Sequence, residues 1–220
     1  MQSIISQDSE DYEVWIIDGD SNDGSQEFFK TIPNTFNILS EKDNGIYNAM
    51  NKGIDRSKGD WLYFLGANDV LYSDNVLSTV AKQSITTEKI ILGDIIMEDQ
   101  QSSPNPKKQS SDFSRVLWLK NAVHHQGAFY HKDLFINYRY DEKLKVLSDY
   151  KFNLKLYKEN IAFAKANKTI ACCGNNGISK TYNWPLYKEE ISLKVKASHI
   201  VFTPFFFAIG VFKFFFKKFS

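Results

Sequence analysis

Apolar and polar positions fall into blocks along the chain. "YEVWIIDGDS" (12–21) is an apolar run closing on an acidic turn, the pattern of a buried strand. "FNILSEKD" (36–43) repeats it. From Asn44 the period lengthens: Ile46, Met50 and Ile54 fall four apart, which predicts a helix burying that stripe, with Asp43 available as its cap and Gly59 as its stop. "DWLYFLGANDV" (60–70) reads as a third strand ending in a polar turn, followed by a helix over roughly 73–83 that Ser73 can cap. "KIILGDIIME" (89–98) is another strand. Residues 99–111 show no apolar period and read as an exposed, mobile loop. "VHHQGAFY" (123–130) turns strand-like at its end. "LSDYKFNLKLYKEN" (147–160) is an amphipathic helix with Phe152, Leu156 and Tyr157 inward, and "IAFAKANKTIACCG" reads as a pair of strands. Strands alternating with helices predict an α/β fold, a parallel or mixed sheet with helices on both faces.

Composition narrows this picture. A chain of 220 residues suits one α/β domain with a real core. Composition changes only near residue 185, which divides a domain over 1–184 from a tail over 185–220. The net charge of +1 provides no field for nucleic acid, so no such partner is expected. Cys172 and Cys173 are adjacent, which gives neither a disulfide framework nor zinc spacing. A reducing, cytoplasmic setting is expected, and Met1 to Ser9 lacks the basic start and apolar run of a secretory leader.

Polar cargo gathers where strands end. Asp18 with Asp20 and Asp23, Glu41 with Asp43, and Asn68 with Asp69 each follow a strand. In open α/β sheets, ligands sit beyond the carboxyl ends of strands, so these turns place carboxylates around one crevice. Such a cluster repels itself unless a cation joins it, as a divalent metal held partly by substrate phosphates does. Plainer readings stand beside this one. Asp43 can be a helix cap, Asp20 and Asp23 can be turn formers, and Asn68–Asp69 can cap the next helix. Asn48 and Asn51 are poor helix-interior residues placed one turn apart; they have a hydrogen-bonding task or face solvent.

"YEVWIIDGDSNDGS", "SEKDNGIYNAMNKGIDRSKGDWLYFLGANDVL", "HHQGAFYHKDLF" and "YDEKLKVLSDYKFNLKLY" together resemble family 2 glycosyltransferases, in particular the bacterial enzymes of polysaccharide and lipid-linked oligosaccharide synthesis. The resemblance implies the GT-A fold, a Rossmann-like nucleotide-diphospho-sugar transferase domain. It implies that Asp18 binds the nucleotide base and that Asp43, Asn48 and Asn51 line the donor pocket. It places Asn68 and Asp69 on the family's acidic pair, with Asp69 keeping the carboxylate for Mg2+ or Mn2+. His125 and Gln126 fall near sugar and acceptor, and Asp149 on the catalytic base of an inverting, metal-dependent displacement. The partners implied are a nucleotide-diphospho-sugar donor and a saccharide or polyprenyl-linked acceptor. "MQSIISQ" resembles the end of the family's first helix, so the first strand is expected to be missing, leaving unpaired edges on two neighbouring strands.

The tail "SHIVFTPFFFAIGVFKFFFKKFS" (198–220) is aromatic and carries Lys213, Lys217 and Lys218. Its apolar run is too short to span a bilayer and contains Pro204, so an amphipathic helix on the inner face of the cell membrane is expected, with a helix packed on the domain as the alternative. Two other functions compete: a non-catalytic, membrane-associated remnant of the same fold, and a phosphatase using Asp18 in "DGDS" as nucleophile. A calcium loop from Asp18 fails, since its sixth place is Asp23 and its twelfth Phe29.

Overall fold

The computed structural model describes residues 1–83, 87–103, 105–174 and 183–218. Its strands are β1 (Trp15–Asp18), β2 (Asn37–Ser40), β3 (Trp61–Tyr63), β4 (Val70–Leu71), β5 (Ile90–Met97), β6 (Gln109–Ser110), β7 (Ala128–His131) and β8 (Phe163–Cys173). Its helices are α1 (Gln2–Ile5), α2 (Ser25–Phe29), α3 (Ile46–Arg56), α4 (Val76–Gln83), α5 (Ser148–Lys158), α6 (Trp184–Ala197) and α7 (Thr203–Lys218). β1 and β2 pair in parallel, and a second, mixed sheet runs β3-β7-β5-β8-β4 with β6 added on β5. Among the described residues β1 bonds only to β2, and β3 only to β7. The Glu13 carboxylate joins the two sheets by accepting the backbone N–H groups of Lys58 (2.5 Å) and Gly59 (3.0 Å).

β5 explains why the layers form. Successive side chains on a strand point to opposite faces. Ile90 and Leu92 enter a core with Tyr130, Phe135, Phe152 and Leu156, on the α5 side. Ile91 and Ile95 enter the other, with Val76 and Val80 of α4 and Ile170 of β8. Both faces are covered, so β5 reads as a continuous apolar run.

Four sequence expectations change. The 163–173 stretch is one strand rather than two: Asn167 takes a left-handed φ of 45°, and a register shift past Leu92 lets β8 continue along β5 after the irregularity. The 60–70 stretch splits into β3 and β4 at opposite ends of the second sheet, with Asn68 and Asp69 between them. The 99–111 segment contains β6, paired to Asp94 and Ile95. The buried residues of α3 are Tyr47, Asn51 and Ile54; of the predicted stripe Ile54 is buried and Met50 packs partly buried against the core, but Ile46 is 49% exposed.

The tail folds as a helical hairpin. α6 packs near α5 and α7 packs on α6. At the crossing Gly210 lets the helices approach closely: a Cβ there would lie 2.7 Å from Ile191 Cδ1, which would have to shift. Phe214 lies edge-on to Trp184 and Tyr187, and Phe206 is buried. Pro204 does not interrupt a helix; it sits in the first turn of α7, where its missing N–H has no helical acceptor to lose. Lys213 turns inward to Glu190 and the Leu119 carbonyl instead of facing outward. The side chains of Lys217 and Lys218 lie outside the described residues. No described helix is long and apolar enough to cross a membrane.

Candidate active site

Helix α3 starts after Gly45, whose φ of 113° disfavours other residues. Asp43 does not cap it from the N-cap position; its Oδ1 accepts the Gly45 N–H at 2.8 Å in the turn ahead. The buried face of α3 then carries polar groups toward the segment 140–146. Asn51 Nδ2 donates to the Tyr140 carbonyl and to Glu142 Oε1, each at 2.9 Å, and its Oδ1 accepts the Tyr140 N–H at 2.9 Å. Asn48 Nδ2 donates to Glu142 Oε2 at 3.0 Å. The Tyr47 hydroxyl lies 2.5 Å from the Val146 carbonyl and 3.1 Å from Asp149 Oδ1. The two asparagines, poor choices for a helix interior, fasten the segment that leads into α5.

Asp149 is the second residue of α5 and is only 8% exposed. Its Oδ2 accepts Asn121 Nδ2 at 3.3 Å and faces His125 Nδ1 at 3.6 Å. Burial pushes its carboxyl up, but His125, the Tyr150 N–H and the Tyr47 hydroxyl outweigh burial and hold it below the ordinary carboxylate value. Its place in the first turn of α5 adds the favourable end of a helix dipole. Burial and the Asp149 charge raise the Tyr47 phenol far above its usual value, so it stays a donor. Burial lowers the His124 imidazole, which keeps the neighbour of His125 neutral.

His125 and Gln126 share a tight turn, and their side chains diverge. His125 faces Asp149, while Gln126 Nε2 donates to Asp69 Oδ2 at 3.2 Å. Asp69 also accepts the backbone N–H of Gly66 (3.3 Å) and of Gly174 (3.0 Å). The pair thus links the two carboxylates that the resemblance assigned to metal and base. Asn68 is exposed on the same turn. Asp18 and Asp43 form a second group: a Cβ on Gly19 would lie 2.5 Å from Asp43 Oδ2.

Among the described residues no three His, Cys, Asp or Glu side chains converge on a metal position. The carboxylates of the acidic turns accept hydrogen bonds. Asp18 Oδ2 accepts Ser40 Oγ (2.7 Å), Gln26 Nε2 (3.0 Å) and Ser21 N (3.2 Å). Those bonds also cover the group that a phosphatase would use as nucleophile. Asp20 takes a left-handed φ of 68°, and Asp23 bonds Ser25 at the head of α2, so both are turn formers. Sequence reasoning missed Tyr47 and Asn121 as site residues. Tyr47 carried a signal, its spacing with Asn51 and Ile54; Asn121 carried none.

A family model described as Glycosyl transferase family 2 matches residues 1–186. The chain belongs to that family. It is 30% identical over 190 residues to a PGL/p-HBAD biosynthesis glycosyltransferase of Mycobacterium bovis, covering 82% of this chain and 73% of the relative. It is 24% identical over 165 residues to the minor teichoic acid biosynthesis protein GgaB of Bacillus subtilis, covering 69% of this chain and 18% of that one. The fold matches S. aureus TarS in complex with UDP at a TM-score of 0.66 and 16% identity, over 89% of this chain and 59% of TarS. It matches the mannosyltransferase PcManGT from Pyrobaculum calidifontis, in complex with GDP-Man and Mn2+, at 0.60 and 16%, over 95% and 63%. The architecture of this family 2 chain is therefore the GT-A fold.

The α3 contacts make a stability prediction. Asn51→Ala leaves the buried Tyr140 N–H and carbonyl without partners, at about 1–3 kcal/mol each. Asn48→Ala, on a more exposed contact, costs under about 1 kcal/mol. Urea unfolding of both variants checks this; equal midpoints would overturn the role given to Asn51.

Proposed function

We propose that this family 2 chain is an inverting glycosyltransferase in cell-surface glycan synthesis, moving a sugar from a nucleotide-diphosphate donor to a saccharide or polyprenyl-linked acceptor. The observation that carries the reading is Asp149: a buried carboxylate, kept ionised by Tyr47, Asn121 and His125, beside a turn that reaches Asp69. The nucleotide class is supported by solved neighbours that hold UDP or GDP-Man. The surface-glycan context is supported by the names of the relatives.

The chemistry follows from the charge state. A hydroxyl is a weak nucleophile at neutral pH. Asp149 takes its proton as the oxygen attacks the anomeric carbon, while the bond to the nucleoside diphosphate breaks on the opposite face. One displacement inverts the configuration. Tyr47 and Asn121 hold the carboxylate oxygens, and His125 stands beside the proton's destination. Asp18 and Asp43 mark the nucleotide side, at the carboxyl ends of β1 and β2.

Were a divalent metal, Mg2+ or Mn2+, bound here, Asp69 would supply the protein carboxylate and the donor diphosphate would supply other ligands. Its chemistry would be Lewis-acid stabilisation of the leaving diphosphate. Asn68, uncharged and exposed, contributes less.

The hairpin supports a seat on the cytoplasmic face of the cell membrane. α7 is apolar on both sides. Phe206, Gly210 and Phe214 face α6, while Phe205, Phe212 and Phe216 form an outer stripe, with Phe212 69% exposed. A helix apolar all round requires cover on both sides. Apolar burial at about 25 cal/mol per Å² favours a lipid surface. Lys213 is engaged inside, so the apolar term dominates. A lipid-linked acceptor would be met there.

Four outcomes test the reading. Asp149→Asn lowers transfer by about 10²–10⁴-fold while leaving nucleotide binding near that of the parent. Because the carboxyl lies below its ordinary 3.8, the parent's transfer shows no acid limb from this group above pH 5; as pH falls through the lowered value, the base is protonated and transfer is lost. Undiminished transfer by the Asn variant at saturating donor would sink the assignment, and a parent inert with every nucleotide sugar would favour a non-catalytic remnant.

Asp69→Asn weakens Mn2+-dependent binding of a nucleoside diphosphate by roughly tenfold, about 1.4 kcal/mol, while Asn68→Ala weakens it less. Calorimetry decides, and the reverse order would overturn the choice of Asp69.

For the hairpin, the parent sediments with anionic lipid vesicles. The triple variant Phe205→Ser, Phe212→Ser, Phe216→Ser, which spares the face on α6, stays in the supernatant. Equal sedimentation of both proteins would remove the membrane argument.

A further inference from the structure

We propose that α6 is a clamp that positions the base, with Glu189 and Glu190 gripping the two backbone segments on either side of Asp149; the inference rests on reading Asp149 as the base. Glu189 Oε1 accepts the N–H groups of Leu147 (2.9 Å) and Val146 (3.2 Å), and its Oε2 accepts that of Lys145 (3.2 Å). Three consecutive donors thus converge on one carboxylate, and the last of them belongs to the residue that precedes α5. Asp149 follows two residues later. The carbonyl of Val146, in this same segment, lies 2.5 Å from the Tyr47 hydroxyl, the group that also reaches Asp149.

The adjacent residue grips the other side. Glu190 Oε1 accepts the ammonium groups of Lys194 and Lys213, each at 2.5 Å. Both ammoniums also donate to the Leu119 carbonyl, at 2.7 and 2.6 Å. Leu119 lies two residues before Asn121, whose amide holds Asp149 Oδ2. The Tyr150 hydroxyl bonds the Leu117 carbonyl, which ties the same segment to α5. Lys194 is buried, and a charge there is tolerated only because it is paired. None of these α6 groups bonds Asp149 itself. They fix the segment that Tyr47 contacts at Val146 and the segment that leads to Asn121, which makes Glu189, Glu190 and Lys194 positioning residues rather than catalytic ones.

The carboxylate form of Glu189 is required, since all three partners are donors. In Glu189→Gln one oxygen becomes an NH₂ that faces an N–H. We expect this variant to lower kcat by about ten- to a hundredfold, as small misplacements of a reacting group do, with donor KM within about twofold of the parent. We expect faster amide hydrogen exchange at Lys145, Val146 and Leu147. The acid limb of the pH profile should also move upward, as support for the Asp149 charge weakens. Glu189→Asp, which keeps the charge on a shorter stem, should recover part of both kcat and exchange protection, and it serves as the test variant if Glu189→Gln does not fold. Unchanged exchange at the three amides, or unchanged kcat with a parent-like pH profile, would overturn the clamp. A parent with no transferase activity would overturn the functional reading instead. The exchange measurement on the substrate-free chain would still decide whether α6 holds the segment.

Discussion

An ionised carboxylate in a protein interior persists only while donors surround it, and Asp149 is in that position. Burial alone would protonate it and remove any use as a base. Tyr47, Asn121, His125 and the first turn of α5 offset that penalty together. Each donor comes from a different part of the chain, so each must be fixed in its turn. Tyr47 is fixed by α3, Asn121 by the segment that ends near Leu119, and His125 by the turn before β7. The requirements of one charge thus reach into most elements around the second sheet.

Helix α3 shows how such a requirement shapes a helix. Its interior face carries a tyrosine and an asparagine where an amphipathic helix would carry aliphatic residues. The apolar area given up is offset by hydrogen bonds to the backbone of Tyr140, which would otherwise be buried without partners. The aromatic cluster of Phe64, Phe135, Tyr140 and Phe152 packs beside it. α6 does for the segment 145–147 what Asn51 does for Tyr140. Both are cases of one side chain satisfying neighbouring backbone groups in a non-regular segment.

The hairpin of α6 and α7 has two different faces of use. Its inner side bears the polar contacts to the segments around Asp149, and its outer side bears phenylalanines. Lys213 links these roles, because an ammonium counted from sequence as surface charge is turned toward Glu190 and Leu119. Charge alone does not say which way a lysine points. The long stem of lysine can lie along apolar surface and place its head on either side of a helix.

The order of strands and helices, the acidic turns after β1 and β2, and the family motifs around Asp69, His125, Gln126 and Asp149 were legible in the sequence, because hydrophobic period and turn chemistry are local properties of the chain. The GT-A architecture followed from those motifs. Local pattern did not disclose that β8 is one bulged strand, since only its pairing with β5 lets it pass Asn167 without ending. Nor did it disclose that α3 turns Tyr47 and Asn51 inward, since periodicity favours the most apolar stripe and cannot count backbone partners 89 or more residues away. Asn121, Glu189 and Lys194 carry no motif at all. Their contacts with the segments around Asp149 span tens of residues, and hydrogen bonds of that range exist only once the chain has packed.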